Sequence, residues 1–384
     1  MNSDLIRKLS IIFIFIFIYN FYCIYANKLY AKNFNKQNKQ PFIKIAIIVP
    51  LSGKYADYGK NLLIAANQAM HDYGKTNSDI NTQVQLIPFD DKCDPSIAKS
   101  IAYEIIKDRK IKIIIGHVCA NTTLITSKIY AKQGLLHIIP TVTEPKITEN
   151  GITTLFRMCG KDDIQAQHIA NFISKKFADK RIAILHNSDP FSKLLAERVQ
   201  ESLAILKIAP TLYQSINLEE FNTYSKIISF IKKLKKLNIN LIFFSGYYIP
   251  TANLLKIMYR YKVNIPFITG GNIVTPGFLK LLPNSKLIAG TMMSFHKLDL
   301  KTFKPQPDQS IFGYAAMQVI LEAIKHNSNN FNYNLNGRIL ANWLHHNKVS
   351  TILGEKSWDT NGEIINAEFN MYIWDEKGNY WKLG

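Results

Sequence analysis

Residues 111–139, IKIIIGHVCANTTLITSKIYAKQGLLHII, hold one complete strand–helix–strand unit. The apolar run at 111–115 predicts a buried strand, and residues 122–133 predict a helix. A second apolar run at 136–139 predicts another buried strand. Two strands joined by a crossover helix lie parallel in one sheet, so this stretch predicts a parallel α/β fold.

The same alternation continues in both directions along the chain. Further strands are predicted at 43–49, 84–88, 181–185, 211–215, 240–244, 265–269, 364–369 and 371–374. Further helices are predicted at 61–73, 95–107, 164–177, 191–206, 222–236, 249–261, 309–326 and 338–346. The alternation restarts after Gly160, which predicts two successive α/β units with helices on both faces of each sheet. The length of 384 residues also favours two domains.

The first 26 residues have the order of an export signal. Arg7 and Lys8 precede an apolar run that begins at Ile11, and a weak small-residue site ends at Ala26. A membrane anchor is the alternative, but it needs about 20 consecutive apolar residues, and this run is shorter. We therefore predict a signal peptide at 1–26 that is cleaved near Ala26, followed by a mobile leader at 27–41.

The formal net charge of +19 is compatible with a nucleic-acid-binding protein. The lysines are dispersed, however, and their densest run, at 232–236, falls on the solvent face of a predicted amphipathic helix. No helix-turn-helix, zinc-finger or RNA-binding signature accompanies them. We therefore expect no nucleic-acid partner for this exported chain.

The sequence contains none of the common catalytic or metal-binding motifs. GxGxxG, GxSxG, HExxH and CxxC are all absent. Residues 53–60 approach a phosphate-binding loop, but the glycines are one residue too far apart and Asn61 replaces the required Ser or Thr. We expect a non-enzyme without a metal or cofactor.

The segments that directly follow the predicted strands suit the capture of a small ligand. In open α/β sheets, ligands bind beyond the carboxyl ends of the strands. Residues 116–123 leave one strand and enter a helix, whose free backbone N–H groups suit a carboxylate. Thr141 and Thr143 follow the next strand, and their hydroxyls either face the same point or cap the following turn.

At these segments the chain resembles the branched-chain amino-acid-binding proteins of bacterial ABC transporters. These form the leucine/isoleucine/valine family of type I periplasmic binding proteins. The resemblance runs from about Lys44 to the C-terminus. It is carried by residues 51–53, 58–59, 90–95, 116–119, 143–145, 181–186, 246–247 and 358–362.

The resemblance implies two doubly wound α/β lobes joined by a three-crossover hinge. The first lobe would comprise 42–160 plus 297–368, and the second 161–296 plus 369–384. It also implies a periplasmic monomer that binds an amino acid or analogue between the lobes and delivers it to an ABC permease in the inner membrane. A ligand sensor of the same fold is the alternative.

Three cysteines follow the signal peptide, namely Cys93, Cys119 and Cys159. In an oxidising compartment this number predicts one pair and one free thiol. The resemblance implies that Cys93 pairs with Cys119 and that Cys159 is a buried free thiol.

The resemblance also implies the ligand-binding residues. It assigns the aromatic wall to Tyr58, Phe191 and Tyr247. It assigns the ligand's carboxylate and ammonium to the positions of Ala120, Asn121, Thr141 and Thr143.

Two of the implied positions depart from the family pattern. Ala120 stands where the family has a carboxylate-binding serine, and Gly271 stands where it has the acid that binds the ligand's ammonium. Either Asp189 replaces this acid, or the ligand is an amide or an aromatic acid that lacks an ammonium group. The sequence leaves the identity of the ligand open.

Overall fold

The computed structural model describes residues 43–77, 84–217, 223–298, 308–327 and 336–383. The predicted signal peptide and leader lie outside these residues. Lys44–Gly384 form one structural unit, to which the description below refers. In the part of the chain that is described, no helix is long and apolar enough to cross a membrane.

Fourteen strands are described. They are β1 (Ile43–Val49), β2 (Val84–Asp90), β3 (Ile111–Gly116), β4 (Leu136–Ile139), β5 (Leu155–Arg157), β6 (Ile182–His186), β7 (Leu212–Ser215), β8 (Leu241–Ser245), β9 (Phe267–Gly270), β10 (Met292–His296), β11 (Val349–Thr351), β12 (Gly354–Lys356), β13 (Phe369–Trp374) and β14 (Tyr380–Lys382).

Ten α-helices connect or follow them in the described residues. They are α1 (Ala56–Gly74), α2 (Pro95–Ile105), α3 (Ala120–Lys132), α4 (Asp162–Lys176), α5 (Pro190–Ile205), α6 (Tyr224–Lys236), α7 (Tyr248–Arg260), α8 (Pro276–Lys280), α9 (Ile311–His326) and α10 (Gly337–His346).

The strands form two main sheets and a short hairpin. The first sheet has the order β2-β1-β3-β4-β5, and β1, β3, β4 and β5 pair in parallel. The second has the order β14-β13-β10-β9-β8-β6-β7 and is parallel from β10 to β7, with β13 antiparallel to β10 and to β14. Strands β11 and β12 form the separate hairpin. The α/β fold with mainly parallel sheets is therefore confirmed.

The strands are buried as expected for sheets covered on both faces. Every residue of β8 is buried, and β1 and β3 each have one half-buried residue, which is a lysine. Strands buried on both faces are recognised in a sequence as continuous apolar runs. This is why the sequence predicts these strands well.

The chain passes between the two sheets three times. It leaves the first sheet after β5 and enters the second through α4, which packs against α5. It returns to the side of the first sheet after β10, where α9 packs against α1. It crosses again before β13. The lobe boundaries given above remain predictions.

The strand predicted at 364–369 is wrong. Ile364 makes only an isolated antiparallel bridge with Trp358, and β13 begins at Phe369. The segment before Phe369 belongs to the third crossover, where Ile364 is buried but Ile365 is 46% exposed, and no ladder forms. The sequence also missed β5, which has three residues, and β10, whose sequence MMSFH lacks β-branched residues.

Candidate functional site

A cavity of 160 Å³, here called the cleft cavity, lies at the carboxyl ends of strands from both sheets. Most of the segments that line it follow β1, β3 and β4 of the first sheet and β6, β8 and β9 of the second, and Cys93, Asp162 and Gln309 complete the lining. This is the position at which open α/β sheets bind ligands. An engineered apolar cavity of about 150 Å³ holds a benzene molecule, so the cleft cavity accommodates a ligand of that order of size.

Eight of the nine predicted binding residues line this cavity. They are Tyr58, Ala120, Asn121, Thr141, Thr143, Asp189, Phe191 and Tyr247. All eight follow strands of the two sheets or lie at the starts of the helices that come next. The topology therefore brings them together, although up to 189 positions separate them in the sequence, from Tyr58 to Tyr247.

Gly271 does not line the cleft cavity. It lines a smaller cavity of 20 Å³ beside it. A Cβ atom at Gly271 would lie 2.4 Å from the ring of Phe295 and 3.1 Å from the carbonyl oxygen of Ser294. An acidic side chain therefore does not fit at this position, and Phe295 takes the space next to it.

The start of α3 lies at the cleft cavity, where the sequence predicts it. Ala120 is the first residue of the helix, and the capping residue, Cys119, makes no side-chain capping bond. The first N–H groups of a helix have no partner within the helix. The hydroxyls of Thr122 and Thr123 donate to the carbonyl oxygen of Cys119, at 2.8 and 2.9 Å. Neither the N–H of Ala120 nor that of Asn121 donates to a described residue.

The loop before α3 is fixed by a disulfide and a buried hydrogen-bond network. Cys93 and Cys119 are bonded, with their Cα atoms 5.6 Å apart, and Cys159 is free and buried, as predicted. Asp91 accepts from the backbone N–H of Cys93 at 3.0 Å and pairs with His117 at 2.6 Å. Asp91 and His117 are fully buried. The loop that enters α3 is thus fixed at Cys119 by the disulfide and at His117 by the pair with Asp91.

The loop after β4 is shaped by Arg157, which the sequence did not single out. Its fully buried guanidinium donates to the carbonyl oxygens of Val142 and Glu144, at 2.5 and 2.9 Å, and to the carboxylate of Glu363 at 3.0 Å. A charge in this environment requires such a set of partners. Arg157 therefore fixes the backbone that carries Thr141 and Thr143.

The two threonines do not cap the next turn. The short 3₁₀ turn Pro145–Ile147 is capped by the side chain of Glu144, which accepts from the N–H of Lys146 at 3.3 Å. The hydroxyl of Thr141 is buried and makes no hydrogen bond of normal geometry with a described residue. The structure therefore excludes capping of this turn by the threonines, and both of them line the cleft cavity.

Asp162 is the most informative residue that the sequence missed. It begins α4, is fully buried and lines the cleft cavity, and its N–H donates to the carbonyl oxygen of Thr143 at 3.1 Å. Neither carboxylate oxygen has a partner in normal hydrogen-bond geometry among the described residues. Burial raises the pKa of this carboxyl to about 7, although nearby Thr143 and the charge of Arg157 lower it in part. A buried carboxylate without a partner is costly unless a ligand pairs with it.

Asp189 lines the same cavity but already has partners. It caps α5, where its carboxylate accepts from the N–H and the hydroxyl of Ser192, at 2.9 and 2.7 Å, and from the amide of Asn187 at 2.8 Å. These bonds satisfy most of its acceptor capacity. Asp162 is therefore better placed than Asp189 to replace the acid that is absent at position 271.

Aromatic rings from both sheets form the apolar wall. The ring of Tyr247 lies 5.2 Å from that of Phe191 and 5.3 Å from that of Tyr55, measured between centroids. Tyr58 and Phe191 were predicted from the sequence together with Tyr247, whereas Tyr55 was not. The contact between Tyr55 and Tyr247 joins the loop after β1 to the loop after β8.

Gln309 makes a second connection across the cleft cavity. Its side chain accepts from the hydroxyl of Tyr58 in α1 and donates to the carbonyl oxygen of Gly271 and the side chain of Asn272, at 2.9 and 2.8 Å. The latter two residues follow β9 of the second sheet. Gln309 thus links the two sides of the cleft with three hydrogen bonds.

The chain is similar to curated amino-acid-binding proteins. It is 25% identical over 357 residues to an amino acid binding protein of Pseudomonas aeruginosa, covering 89% of this chain and 92% of that protein. It is 26% identical over 348 residues to the Leu/Ile/Val-binding protein of Escherichia coli K12, covering 88% and 92% of the two chains.

Solved structures share the fold at lower sequence identity. The branched-chain amino acid transporter substrate-binding protein LivJ of Streptococcus pneumoniae, in complex with isoleucine, has a TM-score of 0.75 at 16% identity, with 89% of this chain and 99% of that chain covered. A solute-binding protein of an ABC transporter from R. palustris, in complex with benzoate, has a TM-score of 0.74 at 16% identity, with 89% and 96% covered.

A family model supplies the assignment. Residues 42–269 match the model described as periplasmic binding protein. This segment includes both sides of the cleft cavity up to the end of β9, and the fold and the relatives agree with it. The chain therefore belongs to the periplasmic binding protein family.

Proposed function

We propose that this protein is the substrate-binding component of an ABC importer and that it captures an amino acid with an apolar side chain in the cleft cavity. The curated relatives bind amino acids by name. The observation that carries the proposal is the unpaired, buried carboxylate of Asp162 in the same cavity as the start of α3. An amino acid offers one charge to each of these groups.

The ligand's carboxylate is assigned to the N–H groups of Ala120 and Asn121 at the start of α3. A helix N-terminus favours a negative charge and supplies free N–H donors. The absence of a serine hydroxyl at position 120 removes one hydrogen bond to the charged carboxylate, which contributes about 1.5–3 kcal/mol. The backbone donors and the hydroxyl of Thr143 remain.

The ligand's ammonium is assigned to Asp162, assisted by the hydroxyls of Thr141 and Thr143. An ion pair in a closed cavity is recognised by both charge and hydrogen bonding. The apolar side chain of the ligand then packs against the rings of Tyr58, Phe191 and Tyr247.

The wider setting follows from the same proposal. The signal peptide at 1–26 directs the chain to the periplasm and is cleaved near Ala26. The mature protein acts as a monomer, catalyses no reaction and delivers its ligand to a permease in the inner membrane. The first support for this setting is the order of charged, apolar and small residues at the N-terminus.

Three matched ligands test the assignment. Leucine carries both charges, 4-methylpentanoate has the same carbon skeleton without the ammonium, and leucinamide lacks the carboxylate. Calorimetry with the protein from residue 27 onward should show that leucine binds at least about tenfold more tightly than either analogue, because each analogue leaves one charged group unpaired. Leucine at about 100 times its dissociation constant should add about 2.7 kcal/mol of stability.

The variant Asp162→Asn tests the residue. Loss of one partner of a buried charge pair costs about 2–5 kcal/mol, so leucine affinity should fall by at least about thirtyfold. Asp189→Asn, in the same cavity, is the matched control and should change the affinity much less. Equal affinities for leucine and 4-methylpentanoate, together with an unaffected Asp162→Asn variant, would rule out ammonium recognition.

An aromatic or aliphatic acid without an ammonium is the second candidate ligand. It is favoured by the raised pKa of Asp162, because a protonated carboxyl donates a hydrogen bond to a ligand carboxylate. A relative of the same fold has been solved with benzoate. Preferential binding of benzoate or 4-methylpentanoate in the calorimetric series would select this candidate.

A further inference from the structure

A second cavity, of 430 Å³, lies where the three crossovers meet. We call it the hinge cavity. It is lined by residues at 158–160, 296–298 and 364–368 of the crossovers and by the β11–β12 hairpin segment at 348–357, with Phe312 of α9. None of its lining residues lines the cleft cavity.

The charges in the hinge cavity leave one lysine unbalanced. Lys297 pairs with Glu368, and Lys348 pairs with Glu355 at 2.8 Å. The side chain of Lys356 is half-buried and forms no ion pair or hydrogen bond with a described residue, although it lies close enough to Glu368 to be affected by its charge. The described lining contains three lysines and two glutamates and no other charged side chain. The cavity therefore carries one excess positive charge.

His296 adds a neutral hydrogen-bonding group beside this charge. Its ring packs between Phe312 and Phe369, with centroids 4.7 and 4.5 Å away, and makes no hydrogen bond with the residues that are described. Burial, and secondly the charge of Lys356, lower the pKa of His296 to about 3, so the imidazole is neutral at physiological pH. A neutral imidazole has one N–H donor and one acceptor nitrogen.

The rest of the lining includes the apolar side chains of Met158, Phe312, Leu353 and Ile364. A site with one excess positive charge, one neutral donor and an apolar wall matches a ligand with one negative charge and an apolar tail. A zwitterionic amino acid does not match, because its ammonium would meet Lys356. Inorganic phosphate does not match either, because it has no apolar part.

We propose that the hinge cavity is a second ligand site, which binds a small organic monocarboxylate through Lys356 and His296. The carboxylate accepts from the Lys356 ammonium and from the imidazole N–H of His296. The apolar tail packs against Met158, Phe312 and Ile364. The ligand therefore touches all three crossovers, which are the segments that bend when two lobes close around a cleft.

Calorimetric titration with sodium hexanoate tests this proposal. Hexanoate should bind the wild-type protein, and Lys356→Met should weaken its binding by at least about tenfold, because a charge-assisted hydrogen bond is lost. Lys99→Met, an exposed lysine on α2, is the matched control and should bind hexanoate like the wild type. Leucine binding should stay within about twofold in Lys356→Met, since Lys356 does not line the cleft cavity.

Two further arms separate the hinge cavity from other sites. Ala120→Phe fills the cleft cavity and should retain hexanoate binding, whereas inorganic phosphate should not displace hexanoate. Hexanoate binding that disappears in Ala120→Phe but persists in Lys356→Met would assign it to the cleft and overturn the proposal. Phosphate binding in place of hexanoate, or no hexanoate binding at all, would overturn it as well.

Hydrogen exchange of the wild-type protein provides a test that needs no variant. Bound hexanoate should slow amide exchange at 348–357 and 364–368 and leave the segments around the cleft cavity unchanged. If exchange in these two segments is the same with and without hexanoate, the proposal is wrong, whether or not Lys356→Met folds.

Discussion

Asp162 combines two properties that make its protonation state part of ligand recognition. It is buried in the cleft cavity, and its carboxyl has a pKa raised to about 7 by that burial. In the ligand-free protein it is therefore mostly protonated below pH 7 and ionised above. A ligand that prefers one of the two forms shifts the equilibrium toward that form.

The sign of the pH dependence identifies the ligand class. An amino acid pairs its ammonium with the ionised form of Asp162, so leucine affinity should rise as the pH is raised from 5 to 8, by up to about tenfold per unit below the pKa. A carboxylic acid without an ammonium accepts from the protonated form, so its affinity should fall over the same range. Calorimetry in one buffer series measures both, and Asp162→Asn should remove the dependence. A flat profile in the wild-type protein would contradict the role of Asp162.

Single residues also show where prediction from the sequence ends. The eight predicted binding residues that line the cleft cavity all follow or flank predicted strands, so topology alone brings them together. Asp162 was missed because its importance lies in its burial and its lack of a partner, and neither property is visible in a sequence. Its position two residues before the first helix predicted after Gly160, at 164–177, was the available signal.

At the scale of elements, two loops carry the polar part of the site, and buried side chains beneath each loop fix its backbone. The entry to α3 is tied by the disulfide between Cys93 and Cys119 and by the pair of Asp91 and His117. The loop after β4 is tied by Arg157. Because these loops are already ordered, binding of an anion to their backbone donors does not lose the conformational entropy that ordering a loop would cost.

Replacement of Arg157 by Met should destabilise the protein strongly. The substitution removes the buried guanidinium from Glu363, which keeps the hydroxyl of Thr148 as a donor, and from the carbonyl oxygens of Val142 and Glu144. Removal of one partner of a buried ion pair costs about 3–5 kcal/mol. The free energy of unfolding from urea titration should fall by that amount.

Arg198→Met is the matched control for this change. Arg198 forms ion pairs with Asp163 and Glu201 but is partly exposed, with 37% of its side chain accessible. Partly exposed pairs contribute about 0–1 kcal/mol, so this variant should lose little stability. Similar losses for both variants would show that burial of Arg157 is not the deciding factor.

At the scale of the whole molecule, the sequence predicted the sheets better than the segments between them. Buried parallel strands such as β1, β3 and β8 appear as continuous apolar runs. The crossover at 364–368 was mistaken for a strand because it begins with Ile364 and Ile365, but only Ile364 of these five residues is buried. The hinge cavity had no signal in the sequence, because residues from five separate segments form it.

Closure of the cleft should depend on Gln309, because this side chain joins α1 to the loop after β9 with three hydrogen bonds. Each neutral hydrogen bond contributes about 1 kcal/mol. Gln309→Ala should therefore shift the ligand-free protein toward an open arrangement, and leucine affinity should fall about tenfold because binding must also drive closure. Small-angle scattering should show a larger radius of gyration for the ligand-free variant and a return to the wild-type value at saturating leucine.

Gln318→Ala is the control, because it removes a hydrogen bond to the N–H of Ile352 that lies away from the cleft. This variant should change neither the leucine affinity nor the radius of gyration. If Gln309→Ala weakens binding without a change in the radius of gyration, Gln309 acts as a ligand contact and not as a link between the two sides of the cleft.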